Sequence, residues 1–382
     1  MKWMKKVGQV LNPVLPTNNM AVHDTNKRDP SNKANRNNPL EFFNTVYNNY
    51  KKAEKEAGGP VNRYFNIAGF TILLRFAGPA LIPYITPALN HLTTQHAPEP
   101  DLTVCLWDSI STHTEISCPP WEMDDYLPRG EVRGYNTDRI HIAFQLGFCV
   151  LSMLDIVQNT AIFWIRSARH AYYSESSHPI KTILHWWMRE QGLQLVHAAS
   201  VGMQNGGVLV AGRGGSGKST TALACLLSEM LFLGDDKVLI SRKPIPFAYS
   251  AYNSATLNAD HLQKLPQLIR KVSNADNLDA EKALIYLYNF YSERVAVSLP
   301  VRGIVVPQIT GQTDSKLTRV SPMTAIKALA PSTLFQMPGA GPKDFREITE
   351  FVKHIPCFLL ELGTCLQEVP ETIMQMLSND SG

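Results

Sequence analysis

Val208-Leu209-Val210-Ala211-Gly212-Arg213-Gly214-Gly215-Ser216-Gly217-Lys218-Ser219-Thr220-Thr221-Ala222-Leu223-Ala224-Cys225-Leu226 is the stretch on which the reading of this chain turns. Its first four residues are apolar and suit a strand, and Thr220–Leu226 suits a helix. Between them, Gly212 through Ser219 matches GxxxxGK[ST] in full. Gly212, Gly214, Gly215 and Gly217 let the backbone turn its N–H groups inward around phosphate oxygens. The helix N-terminus adds partial positive charge. Lys218 would reach the outer phosphates and the Ser219 hydroxyl would ligate Mg²⁺. The pattern predicts a site for a nucleoside triphosphate, ATP with Mg²⁺. Its contacts are Gly212, Gly214, Gly215, Ser216, Gly217, Lys218, Ser219 and Thr220. Arg213 reads as solvent-facing.

Seventeen residues beyond Lys218, the apolar run Leu231-Phe232-Leu233-Gly234 ends on Asp235-Asp236, followed by Lys237-Val238-Leu239. Adjacent carboxylates at a strand end are either chemical groups or an ordinary acidic turn. Upstream, His197-Ala198-Ala199 ends another strand-like run before Gly206-Gly207-Val208. Taken together, these segments resemble the catalytic domain of the HPr serine kinase/phosphorylases and HPr-kinase-like proteins, a fold related to ATP-dependent phosphoenolpyruvate carboxykinases. The resemblance spans roughly residues 178–365 and is strongest from His197 to Ile240. It implies that Asp235 is the base for an acceptor hydroxyl and that Asp236 holds Mg²⁺ with Ser219. It also implies that His197 orders the acidic pair and that Arg302, in Val301-Arg302-Gly303-Ile304, contacts the transferred phosphoryl group or the acceptor. Two positions depart from the family pattern. Thr220 stands where Glu is common, and Leu299-Pro300-Val301 lacks the usual acid. The resemblance therefore specifies neither HPr as acceptor nor the phosphorylase reaction.

Around this segment, the pattern from residue 178 onward alternates α and β. Helices are expected over 180–191, 220–227, 322–329, 343–354 and 370–377, with two more inside 257–291. Strands are expected over 193–201, 207–211, 230–240, 295–307 and 358–362. Pro338-Gly339-Ala340-Gly341-Pro342 reads as a connector or a lid, and Trp186-Trp187 as packing between domains. Residues 60–176 contain short β-like runs at 71–76, 102–107 and 160–165, preceded by a helical segment from Leu40 through the charged run 51–56. The expected fold class is α/β: a P-loop, phosphoenolpyruvate-carboxykinase-like kinase domain over 178–382, preceded by a smaller α+β domain over 40–177. Residues 1–39 read as a flexible, basic, Asn-rich tail, too poor in apolar groups to offset the entropy of ordering.

Of 382 residues, 44% are apolar and 18% charged, a balance able to bury a core. Net charge is +3, but residues 1–40 hold seven Lys/Arg against two acids, which leaves the rest at −2. A near-neutral body argues against nucleic-acid binding. The six cysteines form no CxxC pair and read as reduced thiols of a cytoplasmic protein. The apolar stretches 67–92 and 140–165 carry interior prolines, glycines or polar groups, so no membrane span is expected. The function expected is an ATP-dependent kinase acting on a serine-type hydroxyl of a protein, peptide or small molecule, in a chain that could form a homo-oligomer. The alternatives are a nucleotide-binding regulatory or scaffold protein and a partner-coupled ATPase.

Overall fold

The computed structural model describes residues 38–171 and 173–379. The tail expected over 1–39 lies outside the described residues up to residue 37. The chain is a mixed α/β protein with parallel and antiparallel strand pairs in two large sheets.

Helix α1 (Pro39–Glu56) begins where the sequence allows it. Asn38 accepts the Glu41 amide at 3.1 Å, and Pro39 occupies the first turn, where its missing N–H is not needed. Phe42, Phe43, Val46, Tyr50 and Ala53 recur at helical spacing and are buried. They pack on one face of a six-stranded sheet. Its strands are β1 (Pro60–Ile67), β2 (Phe70–Ala77), β3 (Leu102–Asp108), β4 (Ile140–Gln145), β5 (Val150–Asp155) and β6 (Thr160–Ile165). They lie in the order β1-β2-β3-β6-β5-β4. The stretch 140–165 is thus three antiparallel strands. Among the described residues, no helix is long and apolar enough to cross a membrane.

The other face of this sheet is covered by α2 (Lys181–Glu190), from later in the chain. Ile183, Leu184, Trp186 and Trp187 of α2 share one buried cluster with Leu74, Phe76, Leu106 and Phe163 below, and with Leu195, Leu239 and Tyr252 above. Each such side chain contributes about 1.5–3 kcal/mol on burial. The two sheets are halves of one packed body.

The second sheet has nine strands. They are β7 (Gln194–Val196), β8 (Ala198–Met203), β9 (Gly206–Ala211), β10 (Leu231–Gly234), β11 (Val238–Ser241), β12 (Phe247–Ser250), β15 (Ser298–Ile309), β16 (Lys316–Val320) and β17 (Cys357–Leu362). A separate hairpin joins β13 (Ser254–Leu257) to β14 (Ala283–Tyr286). Alternation along β9 sorts the layers. Val208 and Val210 face α3 (Lys218–Leu227) and α6 (Glu368–Asn379). Leu209 and Ala211 face α4 (Pro322–Leu334) and α5 (Pro342–Val352).

The two helices expected inside 257–291 are present only as single turns, Ala259–Leu262 and Tyr288–Tyr291. Among the described residues, that segment holds the hairpin and single-turn helices. Asn274 explains why: its side chain accepts the Leu284 amide at 2.8 Å and donates to the Lys282 carbonyl at 2.9 Å. Such local bonds compete with a helix ladder. Strands β12 and β16, unmarked in the sequence, join the second sheet by antiparallel pairing.

Candidate active site

Two long segments, 194–203 and 231–241, run antiparallel and break at the same level. Leu195 pairs with Leu239 and Val196 with Val238, and beyond the break Ser200 pairs with Gly234. Between lie His197–Ala199 on one segment and Asp235–Lys237 on the other. The second break is a tight turn. The Lys237 amide donates to the Asp235 carbonyl at 2.7 Å, and Asp236 at the centre has φ +65°. Positive φ is costly for a residue with a Cβ, and here it turns two successive carboxylates in different directions.

The glycine loop closes on the same place. β9 feeds it and α3 leaves it, the strand–loop–helix order expected. Gly217, at φ +102°, caps α3, and a Cβ there would meet Leu362 Cδ1 at 2.5 Å. Lys218 is buried, and its Nζ donates to the carbonyls of Gly212 at 2.7 Å and Arg213 at 3.1 Å. Burial lowers its pKa, against the pull of Asp235 and Asp236. Ser216 Oγ, in the loop, is buried with no hydrogen-bond partner among the described residues. Arg213 is exposed.

The acids have distinct surroundings. Asp235 is 1% exposed and accepts Ser219 Oγ at 3.0 Å. Burial, then the charge of Asp236, raises its pKa to about 6. The Asp236 side chain is 32% exposed and opens on the cleft. Burial works against its charge, but Lys237 Nζ at 2.6 Å and His197 Nε2 at 2.6 Å hold it ionised, well below the usual carboxylate range. Burial lowers the His197 pKa, against the pull of Asp236. The His197 backbone N–H is fixed by Thr333 Oγ1 at 3.0 Å. The resemblance implies that Asp236 accompanies Ser219 and that Asp235 meets an acceptor. The neighbours observed are the reverse: Ser219 lies on Asp235, and Asp236 faces the cleft.

Arg302 is not brought to this cluster. It is exposed, and its Nε donates to the Asn205 carbonyl at 3.2 Å. Parallel pairing puts Val301 beside Gly207, at the start of β9, whereas the loop begins at its end. At about 3.3 Å per residue that is roughly 16 Å away.

The cleft, about 320 Å³, has loop residues Lys218, Ser219 and Thr220 on one wall and His197, Asp236 and Gln336 on another. The third wall is the β13–β14 hairpin and its flanks, with Thr256, His261 and Lys282. It adjoins a larger cleft of about 860 Å³ that shares Gly217, Thr220 and His261. Several of these groups carry no motif. His178 approaches from before α2, 3.3 Å from the Asp235 carbonyl and 4.0 Å from Asp236 Oδ2, with burial pushing its pKa down to about 3. Lys237 had a signal in its adjacency to the acids. Gln336 and Lys282 had none. Among the described residues, no three His, Cys, Asp or Glu side chains are grouped to hold a metal ion.

No protein-family model matches the chain, and no curated protein matches it. Among solved structures, it is similar to the Hpr(Ser) kinase/phosphatase from Coxiella burnetii, at 10% identity and a TM-score of 0.29. That likeness covers 50% of this chain and 99% of the other. At such a score the likeness carries no argument about chemistry, which rests on the cleft itself.

Proposed function

We propose that this chain is a Mg·ATP-dependent phosphotransferase acting on a hydroxyl acceptor. One observation carries the reading: Lys218 and Ser219, at a glycine-capped helix N-terminus, share a cleft with a strained two-acid turn. Phosphoryl transfer asks chiefly for positioning and charge neutralisation, and this set offers both.

Loop amides and Lys218 would hold the phosphates, and the larger adjoining cleft has room for the nucleoside. Ser219 Oγ and the Asp235 carboxylate are hard oxygen donors, the kind Mg²⁺ takes alongside phosphate oxygens. Bound Mg²⁺ would supply charge neutralisation at the phosphates. Asp236, ionised and cleft-facing, would orient the acceptor hydroxyl. In the transfer, the acceptor oxygen bonds to the γ-phosphorus, the bond to the β–γ bridging oxygen breaks, and ADP leaves. The hydroxyl proton passes to Asp236. Lys282, on the third wall, is the cleft cation that answers the role expected of Arg302.

The test is incubation of the purified chain with Mg²⁺ and γ-labelled ATP, alone and with host lysate. A labelled acceptor, lost in Lys218→Ala, is expected. Release of free phosphate alone would make the chain an ATPase, and binding without turnover a nucleotide-dependent regulator. Failure to bind Mg·ATP at all would overturn the reading.

A further inference from the structure

Gln336 stands between two charged walls of the site, 99 residues along the chain from Lys237. Lys237 Nζ donates to Gln336 Oε1 at 3.1 Å, and the amide nitrogen of Gln336 meets His197 Nδ1 at 3.0 Å. An ammonium group can only donate, so the oxygen end of the amide must face Lys237. The NH₂ end then donates to Nδ1, which must present its lone pair. The ring proton is therefore on Nε2, aimed at Asp236 Oδ1 2.6 Å away. Asp236 Oδ2 accepts Lys237 Nζ at 2.6 Å, closing a ring of four side chains: Asp236, His197, Gln336 and Lys237.

What holds Gln336 is remote from the cleft. Gln336 and Phe335 are exposed, Phe335 at 79%, while the next residue, Met337, is buried in the cluster beneath α2 and ties the segment to the first sheet's half of the molecule. Backbone carbonyls on either side are pinned by the first sheet's half of the molecule. Arg129 Nη1 donates to the Leu334 carbonyl at 2.7 Å and to the Ala340 carbonyl at 3.0 Å. The Gly339 amide donates to Glu131 Oε1 at 2.7 Å, and Arg129 Nη2 meets the same oxygen at 2.8 Å. From α2, Trp186 Nε1 donates to the Pro338 carbonyl at 2.8 Å. Bonds to a guanidinium or a buried carboxylate are the strong kind.

We infer that Gln336 is a positioning residue for the His197–Asp236 pair, and that the Arg129–Glu131 pair of the N-terminal half sets Gln336 in place. The expected 338–342 connector is then a strap that couples the first sheet to the site. The inference takes its functional meaning from the proposed phosphotransfer, but its test does not need nucleotide.

The full-length protein is labelled with ¹⁵N-histidine, and the His197 ring signals are identified by their loss in His197→Gln. Gln336→Leu is expected to move them. Arg129→Met, more distant, is expected to move the same signals and to speed amide exchange over residues 334–341 about tenfold, the scale of a lost charge-assisted hydrogen bond. The double variant should add little to Gln336→Leu, because both act through one contact. Arg129→Lys, which keeps one donor, should restore part of the parent behaviour. If Arg129→Met folds poorly, Glu131→Gln supplies the same comparison. His197 signals unmoved by Gln336→Leu, or exchange over 334–341 unchanged in both clamp variants, would overturn the inference. Loss of the phosphotransfer reading would instead show as undiminished Mg·ATP affinity in Lys218→Ala.

Discussion

Ser219 Oγ donates to Asp235 Oδ1 at 3.0 Å, joining the first turn of α3 to the end of β10. This bond sets two neighbouring acids apart. The carboxylate that takes it is buried beneath the loop, and the next one along the chain is turned outward to the cleft.

The burial of Asp235 has a stability signature. Its folded pKa of about 6 lies above the ordinary value of 3.8. A carboxyl shifted upward favours the fold most when protonated in both states, and that contribution is lost as pH rises from 3.8 towards about 6. Asp235→Asn keeps an oxygen for Ser219 but cannot ionise. At pH 7 it should be more stable than the parent by about 1–3 kcal/mol, with the difference shrinking near pH 4. Denaturant midpoints across that range measure it. The same variant should weaken the Mg²⁺ dependence of nucleotide binding.

Asp236→Asn should behave differently. Lys218, Ser219 and the loop amides remain, so Mg·ATP should bind with affinity close to the parent's. Transfer should fall by roughly 10²–10⁴-fold, the span for losing a positioned proton acceptor. Rapid-quench assays with the identified acceptor would read this, and a parent-like rate would remove Asp236 from the chemistry.

Lys218→Ala removes a point charge from the glycine loop. Hydrogen bonds to charged groups are worth about 1.5–3 kcal/mol, so Mg·ATP affinity should drop by about ten- to a hundredfold. Calorimetric titration measures it. A circular-dichroism melt should show a folded protein, because the apolar contacts of α3 are untouched.

Arg302→Ala separates the fold from the resemblance. The side chain is exposed, and its Nε bonds the Asn205 carbonyl, away from the cleft. Nucleotide affinity and transfer rate should stay within about twofold of the parent, with stability changed by no more than about 0.5 kcal/mol. Lys282→Ala, by contrast, should slow transfer. Parallel rate measurements on the two variants would decide which cation serves the site.

Much of the architecture was legible because it is local. The apolar run Val208–Ala211, the glycines and the helix formers after them each act over a few residues, so strand, loop and helix could be read in order. The same holds for the buried stripe of α1, for β2, β3 and β6, and for the interruption of 230–240 at the acids. Local signals failed where tertiary pairing decided the outcome. The two helices expected inside 257–291 are cut to single turns, because Asn274 and the pairing of β13 with β14 draw the span between them into a hairpin. Strands β12 and β16 carry weak patterns and exist through their neighbours.

By itself the sequence determined the glycine loop between its strand and helix and the place of the acidic pair at a strand end, since glycine conformational freedom and strand alternation operate within one segment; the nearness of His197 was implied only by the family resemblance. Tertiary structure alone decided which acid lies under Ser219 and which faces the cleft, because that depends on the φ of +65° at Asp236 and the register of two broken strands. It also decided that Arg302 stands at the far end of β9 and that Gln336 and Lys282 line the site. A side chain on a loop or hairpin leaves no periodic trace in sequence. Its role arises only when packing brings it within hydrogen-bonding distance of groups far away along the chain.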